Sequence, residues 1–198
     1  VPLAHHSNSR AVTKQRAAAR AIIPSSMTRA GVYLHIPFCR SRCSYCDFAT
    51  GQYDTALSER YVRALVKEIS TFAQKRTDNA ARDVDTIYFG GGTPSLLAPA
   101  QASRILEVVR ANFNVAADAE VTMEMNPGTV TPEVASAFRA LGINRASFGL
   151  QTFDDEQLRR LGRTHTAEDA RSTLATLRAA GFSNVSFDLI AGLPEQTV

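Results

Sequence analysis

All three cysteines of the chain, Cys39, Cys43 and Cys46, fall within the stretch HIPFCRSRCSYCDF, spaced C-x3-C-x2-C. Thiolates this close in sequence can surround a compact inorganic core from one loop, because the ligands of a cubane iron–sulfur cluster point inward from neighbouring corners. Three protein ligands leave one iron open for an outer ligand. The competing chemistry is a structural zinc, which takes four ligands, so His35 or Asp47 would have to complete the set. His35 lies back along a strand-like segment and structural zinc sites usually draw on two separate segments, so the spacing favours the open cluster. An odd number of tightly spaced cysteines, with no secretory apolar region, also argues against a disulfide framework and for a reducing compartment.

An open iron needs surroundings for its outer ligand. The run DTIYFGGGTPS (85–95) carries Gly90, Gly91 and Gly92 after a strand-like segment. It presents backbone N–H groups without Cβ obstruction, which suits a polar or anionic group; a tight turn explains the same glycines. No Gly-Lys-Ser/Thr follows, so it is not a phosphate-binding Walker loop. Glu124, in VTMEMN, is costly to aim into an interior unless it meets a cation such as an α-ammonium group; the alternative is a surface acid.

These residues need a scaffold, and the hydropathy pattern alternates strand with helix. GVYLHI (31–36) is strand-like and leads into the cysteine loop, residues 57–75 carry apolar side chains at helical spacing, and 85–95 runs from strand into glycine loop. Residues 99–112 form a helix, AEVTMEMNP (119–127) a strand, 132–141 a helix ended by Gly142, and RASFGLQTF (145–153) a strand. Helices follow over 154–162 and 167–180, the second ended by Gly181, and NVSFDLIAGLP (184–194) is the fifth strand.

Successive βα units with right-handed crossovers place such strands in one parallel sheet of an α/β fold. Three strands alternate sharply: Thr122, Glu124 and Asn126 oppose Val121, Met123 and Met125; Arg145, Ser147, Gly149 and Gln151 oppose Ala146, Phe148 and Leu150; Asn184, Ser186 and Asp188 oppose Val185, Phe187 and Leu189. A doubly wound open sheet expects apolar runs on both faces. The polar face therefore lines the inside of a full or partial (β/α) barrel, the alternative being a one-sided sheet with a solvated face. In such barrels chemistry gathers at the carboxyl ends of the strands, which here carry the cysteine loop, the glycine loop, Glu124 with Asn126 and Pro127, Gln151 and Asp188.

The 198 residues, 44% hydrophobic and 21% charged, suit one globular domain. The net charge of +3 is unevenly spread, since Arg10, Lys14, Arg16, Arg20 and Arg29 stand in residues 1–30 without an acid and leave the rest slightly acidic. That body offers no electrostatic footprint for nucleic acid, and no apolar run approaches the ~20 residues that span a bilayer. A cytoplasmic protein is expected. The Ala, Arg and Ser bias of residues 1–26 also fits a mitochondrial or plastid transit peptide; a disordered leader before Met27 is the plainer reading.

The string YLHIPFCRSRCSYCDF resembles the cluster loop of the radical S-adenosylmethionine (SAM) enzymes, in the branch that holds oxygen-independent coproporphyrinogen III oxidases and HemW heme chaperones. YFGGGTPSLL, MEMNPGT, RASFGLQTF, LGRTH and NVSFDLIAGLPEQT resemble that branch's successive blocks in order, over residues 33–198. The resemblance implies that Cys39, Cys43 and Cys46 bind a [4Fe-4S] cluster whose fourth iron is chelated by SAM. One-electron reduction then cleaves SAM to methionine and a 5′-deoxyadenosyl radical. Tyr33, Gly91 and Glu124 would hold the cluster-bound SAM, and Tyr45, Gly92, Thr93, Gln151, Arg163 and Asp188 match contacts to a second SAM in the oxidase. Arg163 could pair a carboxylate bidentately and Asp188 accept ribose hydroxyls; a helix-end ion pair and a buried structural acid are their other readings. The oxidase pattern continues to a further cysteine where this chain has Phe48, so CDF resembles the HemW side, implying heme or porphyrin as ligand and heme-accepting proteins as partners. The resemblance also implies a radical SAM partial barrel truncated after its fifth strand, with residues 1–30 a leader and 31–198 the N-terminal part of the core. A zinc-stabilised domain without catalysis, or a radical SAM enzyme acting on RNA or a peptide, are the remaining classes.

Overall fold

A computed structural model describes residues 29–75 and 83–196. The basic arm expected over 1–30 lies outside them but for its last two residues. Five strands form one parallel sheet in the order β1 (Ala30–Ile36), β4 (Asp83–Gly91), β5 (Asn114–Met125), β6 (Arg145–Gln151) and β7 (Asn184–Leu189). Between β1 and β4 a small parallel pair, β2 (Phe38–Cys39) with β3 (Gly51–Gln52), brackets the cysteine loop. Helices α1 (Thr55–Lys75), α2 (Pro99–Asn112), α3 (Pro132–Ala140), α4 (Asp155–Arg160) and α5 (Ala167–Ala179) fill the connections, each ahead of the next strand except α4, which α5 follows directly. None of the described helices is long and apolar enough to cross a membrane.

The helix starts follow local chemistry. Asp54 Oδ1 accepts from Leu57 N at 2.7 Å, Thr131 Oγ1 from Val134 N at 3.3 Å, and Asp154 Oδ1 from Glu156 N at 2.7 Å. Thr166 and Asp169 cap α5 reciprocally, at 3.1 Å and 2.8 Å. Proline at the first turn fixes φ for α2 and α3 without losing an intrahelical bond.

The apolar strand faces pack outward on these helices, as alternation requires. Leu34, Ile36, Ile87, Phe89, Val121, Met123, Met125, Ala146, Phe148 and Leu150 are all buried in one cluster with Val62 of α1, Ile105, Leu106 and Val109 of α2, Phe138 of α3 and Leu177 of α5. On the opposite face Thr122 is 1% exposed and Ser147 6%. A flat solvated sheet would leave these small polar side chains open, so the sheet curls around them. Arg145 lies across this inner face, donating to Thr122 Oγ1 at 3.2 Å and Ser186 Oγ at 2.9 Å, and Ser186 donates on to Ser147 at 3.1 Å. Buried polar atoms are thus paired within the curl.

Several expectations shift, and strand β6 ends at Gln151 and not at 153. Strand β5 begins at Asn114, not at 119, because Asn114 and Val115 pair with Asp83 and Val84 before a register break. Strand β7 ends at Leu189 and not 194. Its outward residues Phe187 and Leu189 are 45% and 55% exposed, since β7 is an edge strand and α5 packs toward α3 and β6 instead.

Candidate cluster and cofactor site

The cysteine loop is pinned before any ligand arrives. Gly51 N donates to Pro37 O at 2.6 Å and Tyr53 N to Cys39 O at 2.8 Å, which closes the loop at its base. Cys46 N donates to Cys43 O at 3.2 Å, and Arg42 Nη2 to Cys46 O at 3.2 Å. Ser44 N reaches Leu161 O at 3.1 Å, tying the loop to the end of α4. The three thiols are free and half-buried, and all three line a cleft of about 140 Å3 at the carboxyl ends of β4–β7.

The donor set fits a cluster better than zinc. His35 has both ring nitrogens occupied, Nε2 lying 3.0 Å from Ala49 O and Nδ1 3.2 Å from the Tyr33 hydroxyl. Asp47 is exposed and does not line the cleft. Burial pushes the Cys39 thiol above its usual range, the Thr93 hydrogen bond opposing and the neighbouring Cys46 and Cys43 adding to the rise, so ligation there releases a proton.

Glu124 is half-buried and accepts from Tyr88 Oη at 2.7 Å and Gly91 N at 3.0 Å. Burial first, then this bond to Glu124, drives the Tyr88 hydroxyl strongly upward, so it stays protonated as a donor. The surface-acid reading of Glu124 is excluded. The glycine loop corrects another expectation, because its N–H groups are already spent: Gly91 on Glu124, Gly92 on Ile36 O at 2.9 Å and Thr93 on Phe38 O at 2.7 Å. Its glycines serve close approach instead. A Cβ at Gly92 would lie 2.6 Å from Phe38 O, and one at Gly91, whose φ is +119°, would lie 2.8 Å from the His35 ring.

Cys39, Cys43, Cys46, Tyr45, Gly91, Gly92, Thr93, Glu124, Gln151, Arg163 and Asp188 all line this one cleft. Tyr33 does not. It is 59% exposed and stacks on Tyr88 at 6.0 Å, touching the site through Tyr88 and Glu124. Asp188 is exposed at the rim of the cleft among the described residues. Burial pushes the Tyr45 hydroxyl up to about 12, the Arg163 charge opposing, so it remains neutral. Arg163 is no helix-end ion pair: Nη2 donates to Gly149 O at 2.7 Å and Asn126 Oδ1 at 2.9 Å, and Nη1 to Cys43 Sγ at 3.4 Å. Both two-pronged faces of a guanidinium use Nη2, so the bidentate carboxylate pairing is closed while these bonds hold. Gln151 has φ +73°, uncommon for a residue with a Cβ and an indicator of functional strain.

Sequence reasoning placed Asn126 and Gly149 on the polar inner face without giving them a role, and missed Tyr88. Phasing β4 by its alternation would have found Tyr88, since Ile87 and Phe89 are buried on the other face. A Cβ at Gly149 would lie 2.6 Å from Gln151 Nε2 and displace that side-chain end; only the folded loop reveals this.

The model of the radical SAM superfamily matches residues 33–198. A mouse protein named radical S-adenosyl methionine domain-containing protein 1, mitochondrial, is 43% identical over 175 residues, covering 88% of this chain and 39% of the relative. The heme chaperone HemW of Escherichia coli K12 is 39% identical over 171 residues, covering 84% and 44%. Among solved structures, the radical SAM coproporphyrinogen III oxidase HemN of Escherichia coli superposes with a TM-score of 0.76 at 34% identity, covering 87% and 40%. The chain thus spans about two-fifths of the length of these relatives. With the ordered motifs, the curled parallel sheet and the thiol-lined cleft in agreement with these matches, the chain belongs to the radical SAM superfamily.

Proposed function

We propose that this chain is the N-terminal part of a HemW-type protein that binds heme and delivers it to target proteins, with SAM at an open cluster iron. The observation that carries the HemW side is Phe48, which follows Cys46 and Asp47 where the oxidase pattern has a further cysteine; it is 68% exposed and lines the cleft. The relatives named heme chaperone support the same reading.

When bound, the cluster and SAM supply one-electron chemistry that the protein itself lacks. Cys39, Cys43 and Cys46 hold the cluster. The Glu124 carboxylate, oriented by Tyr88 and Gly91, meets the α-ammonium of SAM. Asp188 at the rim accepts ribose hydroxyls, and the neutral Tyr45 hydroxyl, Gln151 and the Gly92–Thr93 segment shape the second ligand's side of the cleft.

Coproporphyrinogen III oxidation is the second reading, favoured by the fold match to the oxidase. The two part in one experiment on the full-length protein, loaded anaerobically with iron and sulfide. The chaperone reading expects a stoichiometric Soret shift on heme addition, transfer of heme to a heme-free acceptor and no consumption of coproporphyrinogen III with SAM and reductant. Turnover of coproporphyrinogen III without heme binding overturns it. The acid-free arm and the mitochondrial name of the mouse relative favour a mitochondrial destination over the cytoplasm; a fluorescently tagged full-length protein that stays in the cytosol would refute this.

A further inference from the structure

One unbroken polar path links two of the three cluster thiols. Arg163 Nη1 donates to Cys43 Sγ at 3.4 Å while its Nη2 is fixed by Gly149 O and by Asn126 Oδ1. Asn126 Nδ2 donates to Thr93 Oγ1 at 2.9 Å, and Thr93 Oγ1 points its own proton at Cys39 Sγ, 3.7 Å away. Thr93 is 2% exposed, so this hydroxyl has no bulk water to choose instead. Arg163 faces no carboxylate among these partners, and its Nε is buried without a partner among the described residues. The half-buried Arg163 cation sets Nη1 against the Cys43 sulfur, which becomes a thiolate once it ligates, and so places positive charge directly on a cluster ligand.

We propose that Arg163, with Asn126 and Thr93 behind it, sets the reduction potential of the cluster held by Cys39, Cys43 and Cys46. The proposal rests on the cluster reading above. Accepting one electron from a low-potential reductant adds negative charge to the cluster and its sulfurs. A fixed positive charge and donors aimed at those sulfurs favour the reduced form and raise the potential. Arg163 and Thr93 thereby act on the cofactor through its ligands, a role separate from any contact with a second SAM. Arg163 is a positioning residue in this sense.

The test is a potentiometric titration of the cluster EPR signal in full-length protein without SAM. Arg163→Gln is expected to make reduction at least tenfold less favourable, about 59 mV for each tenfold in a one-electron couple. Arg163→Lys, which keeps the charge, restores most of the shift. Thr93→Val moves the potential in the same direction by less, and Thr93→Ser leaves it in place. An unchanged potential in cluster-loaded Arg163→Gln overturns the proposal. So does failure of both Arg163 variants to take up a cluster that the wild type and Thr93→Val both hold, since packing would then account for the arginine. A wild-type protein that takes up no cluster sinks the cluster reading itself.

Discussion

Gly92→Ala is the substitution that most directly probes how the glycine loop holds the cysteine strand. The new Cβ would lie 2.6 Å from Phe38 O and 2.9 Å from both Phe38 C and Phe38 N. These are backbone atoms, roughly 1 Å inside ordinary van der Waals contact, and no rotamer change relieves them. Either β2 retreats with Cys39 or the glycine loop does, stretching the Gly92 N to Ile36 O and Thr93 N to Phe38 O bonds. Overpacking costs about 1–3 kcal/mol, and partial weakening of two hydrogen bonds worth about 1 kcal/mol each adds about 1, so about 3 kcal/mol in all is expected. For a domain of this size that lowers Tm by about 6–12 °C. Gly51→Ala in the adjoining β3 is the control, because its Cβ would meet Pro37 O at an ordinary 3.9 Å and should cost under about 0.5 kcal/mol. Thermal melts before cluster loading, followed by iron and sulfide content after it, read both effects. Equal melting temperatures for the two variants, with Gly92→Ala loading a full cluster, would refute the close-approach reasoning.

Glu124→Gln removes the charge offered to an α-ammonium group while keeping the side-chain shape. SAM binding to the loaded protein, followed by the SAM-dependent change in the cluster EPR signal, should weaken tenfold or more; unaltered SAM dependence would count against the role of Glu124. The Arg104 guanidinium, 2.7 Å and 2.6 Å from the two Glu59 oxygens, clamps α1 to α2 and, with Gln101, lowers the Glu59 carboxyl from 4.5 to about 2. A folded pKa below the unfolded value stabilises the fold above about pH 4.5, and that contribution is lost as pH falls toward 2. Denaturant titrations of wild type and Glu59→Gln should therefore converge across this window; a constant gap from pH 7 to pH 2 would show that the pair does not act through ionisation.

Much of the scaffold was legible because its signals are local. Helix α2 runs from Pro99 to Asn112 as expected, since proline marks its first turn. The alternation in β5 and β6 gave the correct inner and outer faces. What escaped depends on partners distant in sequence. The start of β5 at Asn114 is set by pairing with Asp83, and NVAADA carries no alternation to announce it. The two-residue strands flanking the cysteine loop are too short to carry a period.

The site shows the same division. Its cysteines and Glu124 could be picked out by residue type and spacing. The fate of the glycine-loop amides could not, because an N–H that looks free in sequence is spent on Glu124, Ile36 or Phe38 once β1, β2 and β5 meet. Arg163 was legible as a cation of the site through its motif, whereas its bond to Cys43, 120 residues away, was not.

The most direct test of the central claim is anaerobic reconstitution of the full-length protein with iron and sulfide, followed by absorption and EPR with and without SAM, and assay for 5′-deoxyadenosine after dithionite. A brown protein whose EPR signal shifts with SAM and which releases 5′-deoxyadenosine, all lost in a Cys39, Cys43 or Cys46→Ser variant, is the predicted result. A colourless protein that holds one zinc and is unchanged by SAM would contradict it.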